Sequence, residues 1–77
     1  SYHAIAARCY KELKQMSEHY QSVGDMYLAQ GDKRAAEYQY NLAQKANDGD
    51  YYTMSQVDAK LRNTRAAILE EEKFKSE

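Results

Sequence analysis

Eight residues in the middle of the chain, Tyr20, Val23, Gly24, Tyr27, Gly31, Ala36, Tyr40 and Ala43, stand at relative positions 0, 3, 4, 7, 11, 16, 20 and 23. Steps of three and four gather side chains on one helix face, so the first four define a stripe on one helix and the last three a stripe on another. Gly31 lies between them, suited to the left-handed position that ends a helix, and Asp32 follows as a capping residue for the next. Gly24 and Ala36 remove bulk where two antiparallel helices approach, and Tyr20 and Tyr27 fill the volume beside them. The spacing predicts a helical hairpin over 16–30 and 33–46. These residues build a core, and none of them carries chemistry.

The flanks follow the same period. Tyr2, Ile5, Ala6, Cys9, Tyr10 and Leu13 mark a buried face over 2–13, and Met54, Val57, Leu61 and Ile68 mark another over 51–72. Asn47-Asp48-Gly49-Asp50 separates the hairpin from the last helix, with Asp50 as its cap and the acidic Glu70-Glu71-Glu72 stretch as its fraying end. Between Leu13 and Ser17 two readings stand: a break with Ser17 as cap, or one continuous helix through Lys14. Phe74, isolated among charges, is either a stray exposed ring or a contact for a further part of the protein. Proline is absent and glycine occurs three times, so the expectation is all-α with about four helices (2–13, 16–30, 33–46, 51–72) in a single domain spanning 1–77. A chain this short buries only roughly 60% of its unfolded surface, so its stability margin is thin. It opens without Met, and the expectation is a C-terminal fragment of a larger protein.

Eleven Lys or Arg against twelve Asp or Glu, spread along the chain, leave no basic patch for nucleic acid or an anionic membrane. Cys9 is the sole cysteine, so an internal disulfide is excluded. With His3 and His19 it does not form the paired close spacings of a metal site; the two histidines are expected at the surface and Cys9 in packing. Two histidines one helical turn apart with an acid between them, the design by which a zinc peptidase grips metal and activates water, do not occur. No carboxylate pair, serine triad or glycine-rich phosphate loop can be assembled, and no apolar run is long enough to insert in a membrane. The expectation is a non-catalytic chain without a cofactor of its own, binding protein or peptide. Of the eight tyrosines, Tyr38, Tyr51 and Tyr52 remain for contacts.

The spacing of Tyr20 through Ala43 resembles the tetratricopeptide (TPR) repeat, and the resemblance implies antiparallel hairpins stacked in a short right-handed solenoid. One hairpin cannot bury both faces, so the flanking helices are expected to stack on it as half-repeats, with Ala7 and Tyr10 on the N-terminal side. On the C-terminal side Asp58 replaces the small residue, which marks a terminal, solvent-facing cap. The first helices of such hairpins line a concave groove. That analogy names Arg8 and Lys11, then Gln21, Asp25 and Leu28, then Tyr52, Ser55, Ala59 and Arg62 as partner-binding residues. The plainer alternative is a solvated face on which Asp58 and Arg62 form a helical pair. Gln21 and Asp25 stand where a TPR carboxylate clamp has basic and Asn residues, so capture of a C-terminal carboxylate is not expected.

A closer likeness lies in Ala6-Ala7-Arg8-Cys9-Tyr10, Tyr27-Leu28-Ala29-Gln30-Gly31-Asp32, Leu42-Ala43, and Asp50-Tyr51-Tyr52 leading to Val57-Asp58-Ala59-Lys60-Leu61-Arg62. Over about residues 2 to 68 the chain resembles the C-terminal TPR region of BepA/YfgC-like periplasmic zinc metallopeptidases. Lys14, where that family has a turn glycine, and Ser22-Val23-Gly24-Asp25, in place of a Leu-Ala-Glu run, depart from it. The resemblance implies a periplasmic protein whose zinc-bearing catalytic domain lies upstream. Its partners would be outer-membrane assembly components or that catalytic domain itself, in outer-membrane protein quality control. A stand-alone adaptor or secretion chaperone, or the capping end of a longer solenoid, are the alternatives.

Overall fold

A computed structural model describes residues 16–76. They form three α-helices, α1 (Met16–Ala29), α2 (Lys33–Ala46) and α3 (Tyr51–Ser76), and no strand occurs among them. The expected helix over 2–13, with Ala7, Cys9, Tyr10 and His3, lies outside the described residues, as does the question of continuity through Lys14.

α1 ends one residue before the expected 30. Its terminus is a Schellman motif: Gly31 N donates to Leu28 O at 3.0 Å and Asp32 N to Tyr27 O at 2.9 Å, with Gly31 at φ 84°. That φ is the reason glycine stands there. Asp32 then caps α2, its carboxylate accepting from Ala35 N at 3.1 Å, so a single residue closes one helix and opens the next. α2 ends on Asn47 in the left-handed region (φ 49°), a conformation that Asn tolerates better than most L-residues. Asp50 caps α3 through Thr53 N at 2.8 Å. Hydrogen bonds from the Thr53 amide and hydroxyl hold the Asp50 carboxyl below its usual pKa.

Ser17 does not cap α1 with its side chain. Asp48, more than thirty residues away in sequence, does so instead. Its two carboxylate oxygens accept from Met16 N at 3.0 Å and Ser17 N at 2.8 Å, satisfying amides that a helix start leaves open. The buried Ser17 hydroxyl donates to Ala43 O at 2.8 Å and accepts from Asp48 N at 3.2 Å. Partial desolvation pushes the Asp48 carboxyl up, but the hydrogen bonds from Ser17 and Met16 outweigh it and hold its pKa low.

The core sits where the three helices meet. Ala36, Tyr40 and Leu61 form one buried cluster with Tyr27 packed against it, and Ala43, Val57 and Ile68 are also buried. Burying side chains such as Val57, Leu61 and Ile68 stabilises by about 1.5–3 kcal/mol each. Gly24 is the point of closest approach. A Cβ built there would lie 2.6 Å from Tyr40 Cε1, a contact that no methyl can make without moving a buried ring. The spacing predicts close approach at Gly24 and Ala36; at Gly24 the residue that approaches is Tyr40.

α3 runs past the expected end at 72. Instead of fraying at Glu70, it continues to Ser76, and Glu71 and Glu72 pair with Lys33 and Arg34 at the start of α2. Antiparallel packing sets the acids near the positive end of α2 and the bases near the negative end of α3, which offsets the unfavourable place that each charge has on its own helix. The Lys33 hydrogen bond and charge hold the Glu71 carboxyl below its usual pKa, with Lys75 and Arg34 adding to the effect. Phe74 is exposed.

Candidate functional site

α1 and α3 run parallel, each antiparallel to α2, and meet along one line of contacts. Gln21 Nε2 donates to Gln56 Oε1 at 3.4 Å, and Lys60 Nζ bridges to the Asp25 carboxylate at 2.9 Å. Farther along, Leu28 of α1 joins Lys60, Asn63, Thr64 and Ala67 of α3 around an open cleft of about 200 Å³. The cleft wall combines an aliphatic side chain and methyl groups with the Asn63 amide.

Asp25 holds this line together from below. It accepts from Tyr40 Oη and pairs with Lys60, so one carboxylate ties α1 to both other helices. Burial first, and then the hydrogen bond and negative charge of Asp25, raise the Tyr40 phenol well above its ordinary pKa, keeping it a donor.

The nine sequence-named groove residues divide. Gln21 is buried in the interior, because the amide of Gln56 supplies a partner that makes its burial tolerable. Asp25 is committed to Tyr40 and Lys60. Leu28 lines the cleft with 40% of its surface exposed. Tyr52, Ser55 and Arg62 are exposed and Ala59 half-buried; none of them lines the cleft, but the Tyr52 hydroxyl accepts from Gln56 Nε2 at 3.0 Å. Arg8 and Lys11 lie outside the described residues. Asp58 does not pair with Arg62; it accepts from Gln44 Nε2.

Gln56, Lys60, Asn63, Thr64 and Ala67 of the cleft side were not among the expected residues. A 34-residue step places Ser55 beside Gln21 and Ala59 beside Asp25, whereas the hydrogen-bonded partners stand 35 apart. One residue turns a helix by about 100°, which brings the neighbouring face of α3 to the groove. The hydrophobic period of α3 does not reveal such a shift.

A second depression, about 240 Å³, lies between the end of α2 and the start of α3, lined by Gln44, Asn47, Tyr51, Met54, Ser55 and Asp58. Tyr38, Tyr51 and Tyr52 are all exposed. His19 is exposed, its ring 5.7 Å from that of Tyr20. Among the described residues no group of three His, Cys, Asp or Glu is placed to hold a metal ion, and no helix is long and apolar enough to cross a membrane. No family model, curated protein or solved structure matches the chain.

Proposed function

We propose that this chain is a non-catalytic protein-interaction module of the TPR type, which holds an extended or helical segment of a protein partner in the groove between α1 and α3. The observation that carries this reading is the parallel contact line of α1 and α3, at a sequence offset of 35 residues. It is close to the roughly 34-residue period at which TPR hairpins stack. Leu28, Asn63, Thr64 and Ala67 supply the anchoring cleft, and Tyr52 and Gln56 line its approach. Asp58, exposed on the outer side of α3, suits a terminal helix that no further hairpin covers.

The likeness to the BepA/YfgC-type C-terminal region extends the proposal to a parent zinc metallopeptidase of the periplasm, with outer-membrane assembly components or the parent's own catalytic domain as partner. Zinc would belong to that upstream domain. A stand-alone adaptor or the cap of a longer solenoid would use the same groove.

Selection of binders from a random peptide library, followed by amide chemical-shift mapping, tests the module. Shifts confined to Leu28, Gln56, Asn63 and Ala67 are expected. Shifts centred on the outer face of α2, around Tyr38, would overturn the groove assignment.

A further inference from the structure

Asp48-Gly49 is the sole place in the chain where glycine follows an aspartate or asparagine, and the packing gives both residues a reason to stand there. Asp48 caps α1 from across the hairpin, with Met16 N at 3.0 Å and Ser17 N at 2.8 Å on its two carboxylate oxygens. Gly49 lies against the start of α3. A Cβ built there would stand 2.9 Å from Cγ2 of the buried Thr53 and 3.2 Å from Met54 Sδ, so a larger residue would have to displace a branched side chain from close packing.

This pairing has a chemical consequence. Beside glycine no side chain shields the backbone amide, and its nitrogen can attack the preceding side-chain carboxyl. A bond forms between Gly49 N and Asp48 Cγ, the amide proton and the carboxyl hydroxyl leave together as water, and the product is a cyclic succinimide. Water then opens the ring. Cleavage of the new bond restores aspartate. Cleavage of the original bond, between Gly49 N and the backbone carbonyl carbon of Asp48, leaves an isoaspartate whose main chain runs through Cβ and Cγ and whose free carboxylate sits on Cα.

In the folded chain the clamp withholds the electrophile. Both Asp48 oxygens accept from the first amides of α1, and Asp48 N donates to Ser17 Oγ at 3.2 Å. Turning the carboxyl onto Gly49 N therefore means giving up bonds to another helix. Partial desolvation pushes the carboxyl pKa up, but the hydrogen bonds outweigh it and keep the group ionised, and a carboxylate is a poorer electrophile than the acid. The first turn of a helix can nevertheless open locally while the rest of the fold stays intact.

We propose that Asp48-Gly49 is a site of isoaspartate formation gated by the clamp on α1. The ring closes only when the start of α1 lets go. Once isomerised, the linkage cannot restore the clamp, because its main chain is one methylene longer and its carboxylate arm one methylene shorter. A single covalent event in the connection between α2 and α3 thus leaves the first amides of α1 without their acceptor. The site shares no residue with the α1–α3 cleft and does not rest on the partner-binding reading.

Ageing the full chain at neutral pH and physiological temperature, in buffer and in urea, tests the site; digestion and electron-transfer fragmentation then distinguish aspartate from isoaspartate at residue 48. Isoaspartate is expected in buffer at a rate at least about fivefold below that in urea, the factor that corresponds to a helix cap of ordinary strength. Ser17→Ala keeps the dipeptide but removes the hydroxyl that holds Asp48 N, and should speed the reaction in buffer at least about twofold. Equal rates in buffer and urea, or no acceleration in Ser17→Ala, would overturn the gating. Absence of isoaspartate in buffer once the urea sample has reached its final ratio would overturn the site itself. Amide exchange in the isolated isoaspartyl form gives a reading that needs no variant: the Met16 and Ser17 amides are expected to lose protection, and protection equal to that of the unmodified chain would contradict the broken clamp.

Discussion

Against α1, helix α2 packs by close approach: the Tyr40 ring rests on Gly24, and the Ala43 carbonyl takes the Ser17 hydroxyl. Against α3, its buried residues Ala36 and Tyr40 meet Leu61, but the seam is edged with charge, through Lys33 with Glu71, Arg34 with Glu72 and Glu37 with Arg65. The first interface depends on shape and is intolerant of added volume. The second depends on an apolar strip with solvated pairs whose individual contributions are small. The proposed peptide-binding role would make use of the difference. On the proposed function, the α1–α2 hairpin would serve as the fixed wall of the groove and α3 as the wall that salt and sequence adjust.

Gly24→Leu is the harshest test of that contrast. It should cost about 1–3 kcal/mol in urea unfolding through overpacking against Tyr40, and an unchanged midpoint would remove the close approach from the account. Gly24→Ala sharpens it: alanine is the better helix former, so a loss of stability means that steric conflict wins over propensity. Asp48→Ala, which opens the N-terminus of α1, should cost about 1 kcal/mol by analogy with other helix caps.

The Asp48 cap also has a pH signature. Its folded pKa lies below the unfolded one, so its contribution is fully present above the ordinary carboxylate range. It is lost as pH falls from about 4 through the folded value. The acid limb of the stability curve should therefore be shallower in Asp48→Asn than in the unaltered chain; an identical limb would deny the clamp a role. Tyr40→Phe removes the donor to Asp25 and should cost on the order of 1 kcal/mol. Smallest of all, Lys33→Ala with Arg34→Ala should change stability by no more than about 1 kcal/mol. The effect should shrink further in about 1 M salt. A large, salt-independent loss would mean that the α2–α3 seam is not the adjustable one.

Local chemistry made much of this fold legible. Gly31, Asp32 and Asp50 act within a few residues of themselves, so turn and cap preferences suffice to place them. Gly24 as a small residue at the helix approach and the buried line Val57, Leu61 and Ile68 follow from helical period, whereas the meeting of Gly24 with Tyr40 does not. The Asp48 clamp spans the whole hairpin, and nothing near Asp48 distinguishes it from an ordinary loop aspartate. The extension of α3 beyond Glu70 depends on Lys33 and Arg34 in the same way, since an acidic run near a helix C-terminus is locally unfavourable until a partner supplies the bases. The candidate site was legible only in part. Leu28 lines the α1–α3 cleft, but Gln21 is buried, and Gln56 and Lys60, rather than Ser55 and Ala59, make the contacts to Gln21 and Asp25.

The groove stands or falls on how α1 and α3 lie together, and methyl NOE spectroscopy of the full chain measures that arrangement directly. The account predicts NOEs from the Leu28 methyl groups to the methyls of Thr64 and Ala67. NOEs from Leu28 to Ala59 or Ala66 instead, with Thr64 and Ala67 silent, would contradict the register and the groove built on it.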